Sequence, residues 1–268
     1  MSNLPRVVLT GGVSGGHTFP LIAVARTLQA RYPQGIEFLF IGSEGTFESN
    51  AMSAAGIPVK YVLYGKMRRY FSLLNYLDAF KLPIGFVQAL WHLLWFMPDV
   101  VFSKGGAASV PVVLAARLYR IPVLIHDSDS VAGRANVFLR NFVQKIAIAY
   151  PSAAQFFPAD KTILTGNPVR TEVYSGSVES ARAIFSLAPE KKTILIVGGS
   201  QGARGLNIAV LRNLPALLTK GIQVIHQVGN QNIGDVSALA AELGVPLQGG
   251  DYHPGPFLDP QAIGDAYA

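Results

Sequence analysis

The chain has 268 residues, half of them apolar and 14% charged, which is enough to bury a sizeable core and too apolar for a disordered tail. It has no cysteine, which excludes disulfides, thiolate metal sites and a cysteine nucleophile and is consistent with a reducing compartment. The formal charge of +6 is concentrated between Lys60 and Lys104, where Lys60, Lys66, Arg68, Arg69, Lys81 and Lys104 face only Asp78 and Asp99; such a patch attracts phosphate, anionic lipid or nucleic acid without choosing among them.

The opening "MSNLPRVVLTGG" lacks the charged region, long apolar stretch and cleavage site of a secretory signal, so a cytoplasmic location is expected. From there, short apolar runs alternate with helical patterns: "RVVLTGG", "IEFLFIGS", "VKYVLYG", "DVVFSKGG", "PVLIHDS", "KIAIAY", "KTILTGN", then "KTILIVGGS" and "IQVIHQVG". Runs this continuously apolar predict strands buried on both faces, hence a parallel sheet covered by helices and an α/β fold. The pattern starts twice, because "RVVLTGGVSGGH" and "KTILIVGGSQGA" are both strand, glycine-rich turn and helix start. Two doubly wound parallel-sheet domains, 1–165 and 166–268, follow, with a ligand cleft beyond the carboxyl ends of their strands. The second is expected to be incomplete: about 75 residues follow Lys192, against the five or six strands and roughly 100–150 residues of a usual doubly wound domain.

In the first turn, Ser14, Gly15 and Gly16 precede a helix starting near His17, an arrangement in which backbone amides and the helix dipole favour an anion. At that end of a helix a cationic imidazole is disfavoured, so His17 is either a neutral proton acceptor or a simple cap. "SKGGAASVP" repeats the arrangement with Gly105 and Gly106, and "GGSQGARGLN" opens the second domain with a third such turn. Two phosphate-sized sites at neighbouring strand ends suit a diphosphate, although a tight strand-to-helix turn needs glycine in any case.

Between Lys81 and Asp99 lie 17 residues with no charged side chain, His92 aside, and two tryptophans. Pro83, Gly85 and Gln88 interrupt the run, which argues against a spanning helix. Two readings stand: a buried crossover helix, or a helix whose outer side, flanked by Lys66, Arg68, Arg69 and Lys81, dips into an anionic membrane surface. Further on, "HDSDSVAGRAN" ends a strand with consecutive polar residues. His126, Asp127 and Asp129 are metal-ligand types, but neighbours at a strand end point in different directions, so hydrogen bonding to a hydroxylated ligand is preferred. Arg170, in "GNPVR" at the domain junction, suits a phosphate or carboxylate, or is a surface linker residue.

Taken together, "GGVSGGHTFP", "SKGGAASVPVVLAA", "HDSDSVAGRAN", "GNPVR" and "GGSQGARGLN" resemble, in order and rough spacing, the motifs of the MurG family, from about Val7 to the last residue. The resemblance implies a GT-B fold of two Rossmann-like domains. It also implies inverting transfer of N-acetylglucosamine from UDP-GlcNAc to an undecaprenyl-pyrophosphoryl-muramyl-pentapeptide acceptor, at the cytoplasmic face of the cell membrane. Such chemistry belongs to peptidoglycan and cell-wall biogenesis, and so to cell shape and division. No cofactor, no metal and no nucleic acid partner is implied.

Carried over by position, His17 is the candidate general base. Ser14, Gly15, Gly16, Asp129, Arg170, Ser200, Gln201 and the backbone of Leu258 are donor contacts. Gly105, Gly106, Asp127 and Asn136 lie toward the acceptor and diphosphate. Departures are Ala107 where the family has an aromatic, and Asp127 where it has glutamate. The family also continues for about another 90 residues, to a usual domain size, with an acidic ribose contact and a glutamine pair. The alternatives are a related or split GT-B transferase completed by a second chain, as in the two-subunit transferase of the dolichol pathway, or a non-catalytic membrane-binding module. A dinucleotide enzyme fits worst, because the Rossmann fingerprint is not written here.

Overall fold

The computed structural model describes residues 4–12, 15–65, 74–199, 202–245, 250–256, 258 and 260–268. The chain divides into two units, Met1–Val169 and Arg170–Ala268. Ser14, Ser200, Gln201 and the basic residues Lys66, Arg68 and Arg69 lie outside the described residues.

In the first unit the chain runs β1 (Arg6–Thr10), α1 (Gly15–Arg31), β2 (Glu37–Gly42), α2 (Thr46–Ala54), β3 (Val59–Tyr61), α3 (Leu74–Phe96), β4 (Val100–Ser103), α4 (Ser109–Leu118), β5 (Val123–Asp127), α5 (Arg134–Leu139), β6 (Lys145–Ile148) and β7 (Thr162–Leu164). The strands pair in parallel in the order β3-β2-β1-β4-β5-β6-β7. This is a doubly wound sheet whose strand order reverses between β1 and β4, the point beyond whose strand ends such sheets hold their ligands. Val8, Ile41, Val101, Ile125 and Ile146 pack toward α3, α4 and α5, while Leu9, Phe38, Phe40 and Phe102 pack toward α1 and α2. Continuous apolar sequence in the central strands therefore reflects two covered faces.

The second unit adds α6 (Val178–Phe185), β8 (Lys192–Val197), α7 (Arg204–Thr219), β9 (Ile222–Gln227), α8 (Ile233–Glu242), β10 (Tyr252–Gly255) and α9 (Pro260–Tyr267). Its three described strands are parallel in the order β10-β9-β8, the first half of a second doubly wound sheet. Ser177 caps α6, its Oγ accepting from Ser180 N at 3.2 Å. No apolar run announces β10, because it reads Tyr-His-Pro-Gly. It forms at a sheet edge, where proline is tolerated, with Tyr252 buried and its hydroxyl 3.0 Å from His226 Nδ1.

The expectation that every apolar run is buried on both faces fails at β3, β7 and β8. All three are outermost strands, and none of the residues of β8 is buried. Apolar sequence measures the intended environment of a strand, whereas its exposure here is set by the absence of a described neighbour on one side.

The interruptions in α3 also have a cause. A Cβ on Gly85 would run into the Leu63 carbonyl, and the Gln88 side-chain oxygen accepts from Leu63 N at 2.8 Å. Gly85, Ala89 and Leu93 form the buried face, backed by Phe86, Leu90 and Phe96. The other face is apolar too and stands open: Val87 is 63% exposed, Trp91 59% and Trp95 70%, with Ile84 and Leu94 beside them. One face is thus that of a buried crossover helix, and the other is apolar and uncovered among the described residues of the unit. Among the described residues no helix is long and apolar enough to cross a membrane.

Candidate active site

At the switch point of the first sheet, the turns after β1 and β4 touch backbone to backbone. A Cβ on Gly106 would stand 2.6 Å from Gly12 Cα, and Gly106 itself has φ +90°. Gly105, at φ +79°, leaves no room for a Cβ against the Asn136 amide, and its N–H donates to Ser103 Oγ at 3.1 Å. The glycines of "SKGG" are therefore required first by packing between loops, and the Gly105 N–H is already engaged with protein. Gly106→Ala is expected to cost about 2–4 kcal/mol, from a left-handed backbone plus a close contact; chemical denaturation measures it.

His17 lies in the first turn of α1, half-buried, with its ring against Gly12. Burial, and next the nearby Lys104 ammonium, hold its pKa below the ordinary 6.5, partly opposed by Asp129 and Asp127. Its imidazole is neutral at physiological pH, as a proton acceptor requires. The physical origin is burial with a neighbouring cation, beyond the helix end that the sequence pointed to.

Lys104 itself is 3% exposed. Its Nζ sits 2.9 Å from His126 Nδ1 and donates to Ser128 Oγ. Burial lowers its pKa to about 8, against the pull of Asp127 and Asp129. Sequence reading counted Lys104 only as part of a basic patch; the signal available was its place between a strand and a glycine pair, where a side chain points inward.

The polar run after β5 is organised around Asp127, which is 2% exposed. One carboxylate oxygen accepts from Asp129 N at 3.1 Å, and the other from Gly133 N at 2.9 Å and Asn136 Nδ2 at 3.0 Å. Asp127 and Asn136 thus hold the loop, and Asp129, anchored through its backbone, is exposed. Asn136 Oδ1 is buried without a hydrogen-bond partner. Among the described residues no group of three or more histidines or carboxylates is placed to hold a metal ion.

In the second unit, Gly198 N donates to Gln227 O at 3.0 Å and Gly202 N to Gly199 O at 3.1 Å, shaping the turn after β8. A Cβ on Gly202 would meet the Val228 carbonyl. The Gln227 side chain joins this turn to the segment after β10, its Nε2 donating to Gly199 O at 3.0 Å and its Oε1 accepting from Leu258 N at 3.2 Å. Sequence reading did not single out Gln227, an amide in a strand with no motif around it. The Leu258 N–H is thus already engaged with protein. Arg170 opens the unit and is partly exposed.

All five histidines have pKa values depressed primarily by burial: His17, His92, His126, His253, and His226, which falls to about 4. A depressed histidine binds fewer protons folded than unfolded, so its contribution to stability is complete above 6.5 and is lost as pH falls through the folded value. Melting temperature is therefore expected to fall steadily from pH 6.5 toward pH 4, and Lys104 adds a contribution of the same sign only between about pH 8 and 10.5. Differential scanning calorimetry across pH checks both windows.

A doubly wound unit with interlocked glycine turns and a histidine at its switch point, followed by a second unit with a parallel sheet and a braced glycine turn, defines a two-unit α/β protein of the Rossmann-like class. The glycosyltransferase family 28 N-terminal domain matches residues 7–148, and the family 28 C-terminal domain matches residues 193–263. The chain belongs to glycosyltransferase family 28.

It is 40% identical over 232 residues to the UDP-N-acetylglucosamine–N-acetylmuramyl-(pentapeptide) pyrophosphoryl-undecaprenol N-acetylglucosamine transferase 2 of Bacillus cereus, covering 87% of this chain and 65% of that one. The correspondingly named transferase of Lachnospira eligens is likewise 40% identical, with 87% and 64% covered. The chain thus spans about two thirds of the length of these relatives. Among solved structures, Acinetobacter baumannii MurG superposes with a TM-score of 0.63 at 27% identity, covering 95% of this chain and 67% of that chain. A Neisseria meningitidis UDP-GlcNAc 2-epimerase shares the fold at 15% identity, with a TM-score of 0.63 over 97% of this chain and 74% of that one.

Proposed function

We propose that this chain carries an inverting N-acetylglucosaminyl transfer from UDP-GlcNAc to an undecaprenyl-linked muramyl-pentapeptide, a step of peptidoglycan synthesis. The observation that supports it most is a neutral His17 at the switch point, in a chain 40% identical to transferases of that name. The acceptor hydroxyl oxygen attacks the anomeric carbon and its proton passes to His17. The bond to the diphosphate breaks, and its electron pair leaves on UDP. Gly15, Gly16 and Asp129 of the first unit, with Ser14, contact the donor sugar and diphosphate. Arg170, Ser200, Gln201 and the Leu258 backbone hold the uridine diphosphate and neutralise its developing charge. Gly106 lies toward the acceptor, and Asp127, Asn136 and Gly105 shape the loop that receives it. The first domain receives the lipid-linked acceptor and the second most of the donor.

The open face of α3, with Trp91 and Trp95, supports a peripheral position on the cytoplasmic side of an anionic membrane. A second reading concerns completeness. The exposed apolar strand β8, with Ile194 and Val197 at the surface, supports continuation of the second sheet by further polypeptide or by a second chain.

Transfer of labelled N-acetylglucosamine to a lipid-linked acceptor tests the reading, first with the chain alone and then with a chimera carrying the remaining third of the Bacillus cereus relative. Product in either arm is expected. No product in both, with the chimera folded, rejects the assignment; retained vesicle binding would then leave the membrane-module alternative.

A further inference from the structure

The proton transfer proposed above makes no use of the hydrogen bonds of the buried Lys104 ammonium, which lies among the polar groups of the first unit's site. From β4 it reaches His126 and Ser128 at the end of β5, and a Cβ on Gly11 would meet both the Lys104 Cβ and the His17 Cβ. An ammonium has only donors, so His126 Nδ1 must be its acceptor. The His126 proton then sits on Nε2, which donates to the Gly166 carbonyl at 2.9 Å. Gly166 has φ +74° and follows β7, just before the chain leaves the first unit. A chain of hydrogen bonds thus runs from the "SKGG" turn through His126 to the exit segment. The charged and titratable groups facing Lys104 and His17 are Asp127, Asp129 and His126.

We propose that Lys104 is a positioning residue for the transfer: its buried ammonium, donating to His126 Nδ1, selects the Nε2–H tautomer of His126 and so ties the exit segment to the sheet. Desolvation weakens the hold of Lys104 on its own proton, and the two carboxylates restore it. Second to burial, the Lys104 charge also disfavours a positive charge on His17. The inference rests on the reading of His17 as the base, but its physical content is separable from it.

Nitrogen-15 NMR of the imidazoles in this chain tests it without requiring turnover. In the unsubstituted protein, His126 is expected to show a protonated Nε2 and an unprotonated Nδ1 near neutral pH. In Lys104→Met the His17 titration midpoint is expected to move up and the His126 tautomer to lose its single assignment. Lys104→Arg, which keeps the charge, should leave the His17 midpoint near its original position. A protonated His126 Nδ1 in the unsubstituted protein overturns the proposal, as does an unchanged His126 tautomer in folded Lys104→Met. Should Lys104→Met not fold by circular dichroism, the unsubstituted tautomer and Lys104→Arg decide. Loss of the base reading, through wild-type transfer by a His17 variant, would leave these spectra unchanged, so the two failures are distinguishable.

Discussion

His17→Ala is expected to lower glycosyl transfer by about 10²–10⁴-fold, the range for removing a positioned general base, while UDP-GlcNAc binding measured by calorimetry stays within a few-fold. The expectation follows from placement: His17 is at the switch point, neutral through burial and Lys104, and held against a glycine that leaves its ring uncovered by a Cβ. The effect should fall on kcat, because the base acts on the acceptor proton only as the new bond forms. His17→Gln, which keeps a polar side chain without a comparable base, should be nearly as inactive. Transfer at the unsubstituted rate in either variant would remove His17 from the proton path and leave it as a cap of α1. The pH dependence has a sign as well. Since the folded His17 pKa lies below 6.5, activity should be level through neutrality and decline only under acid, where the imidazole gains a proton.

Trp91→Ser with Trp95→Ser is expected to reduce binding to vesicles containing anionic phospholipid by at least tenfold. A covered tryptophan buries about 150–250 Å². At about 25 cal/mol per Å², the exposed fractions of these two rings amount to about 2–4 kcal/mol each, an upper bound if both insert fully. The rings pack edge to face, 5.6 Å apart between centroids, so they present one continuous apolar surface. Because both are exposed, the substitutions should leave the melting temperature within about 1 °C, as expected for surface changes of small stability effect. Raising the salt concentration should weaken binding further through Lys60 and Lys81 on the same unit, since exposed charges are screened. Unchanged vesicle binding in the double variant would assign the open face of α3 to something other than lipid.

Much of the fold was legible because hydrophobic periodicity is a local property. The apolar runs located nine of the ten described strands, and the repeated strand–glycine–helix pattern located the start of each sheet. What the sequence left out has identifiable reasons. β10 escaped because a single strand former, Tyr252, is followed by His253, Pro254 and Gly255 with little strand propensity, and only pairing with β9 makes them a strand. The exposure of β8 escaped because apolar composition is blind to whether a neighbouring strand is present.

The candidate site divides in the same way. The sequence by itself determined the α/β class, the doubly wound parallel architecture and the three glycine turns, along with the candidacy of His17, because each depends on residue type and spacing along the chain. Only the tertiary structure decided what those residues do for one another. Gly105 and Gly106 make room for Asn136 and Gly12, Asp127 is consumed in holding its own loop, and Gln227 braces a turn from a strand with no motif. Lys104 passed from a surface-patch charge to a buried cation hydrogen-bonded to His126 and near enough to His17 to lower its pKa. Packing, burial and charge proximity join residues tens of positions apart, and the free energies that set a pKa or forbid a Cβ arise from those neighbours in space.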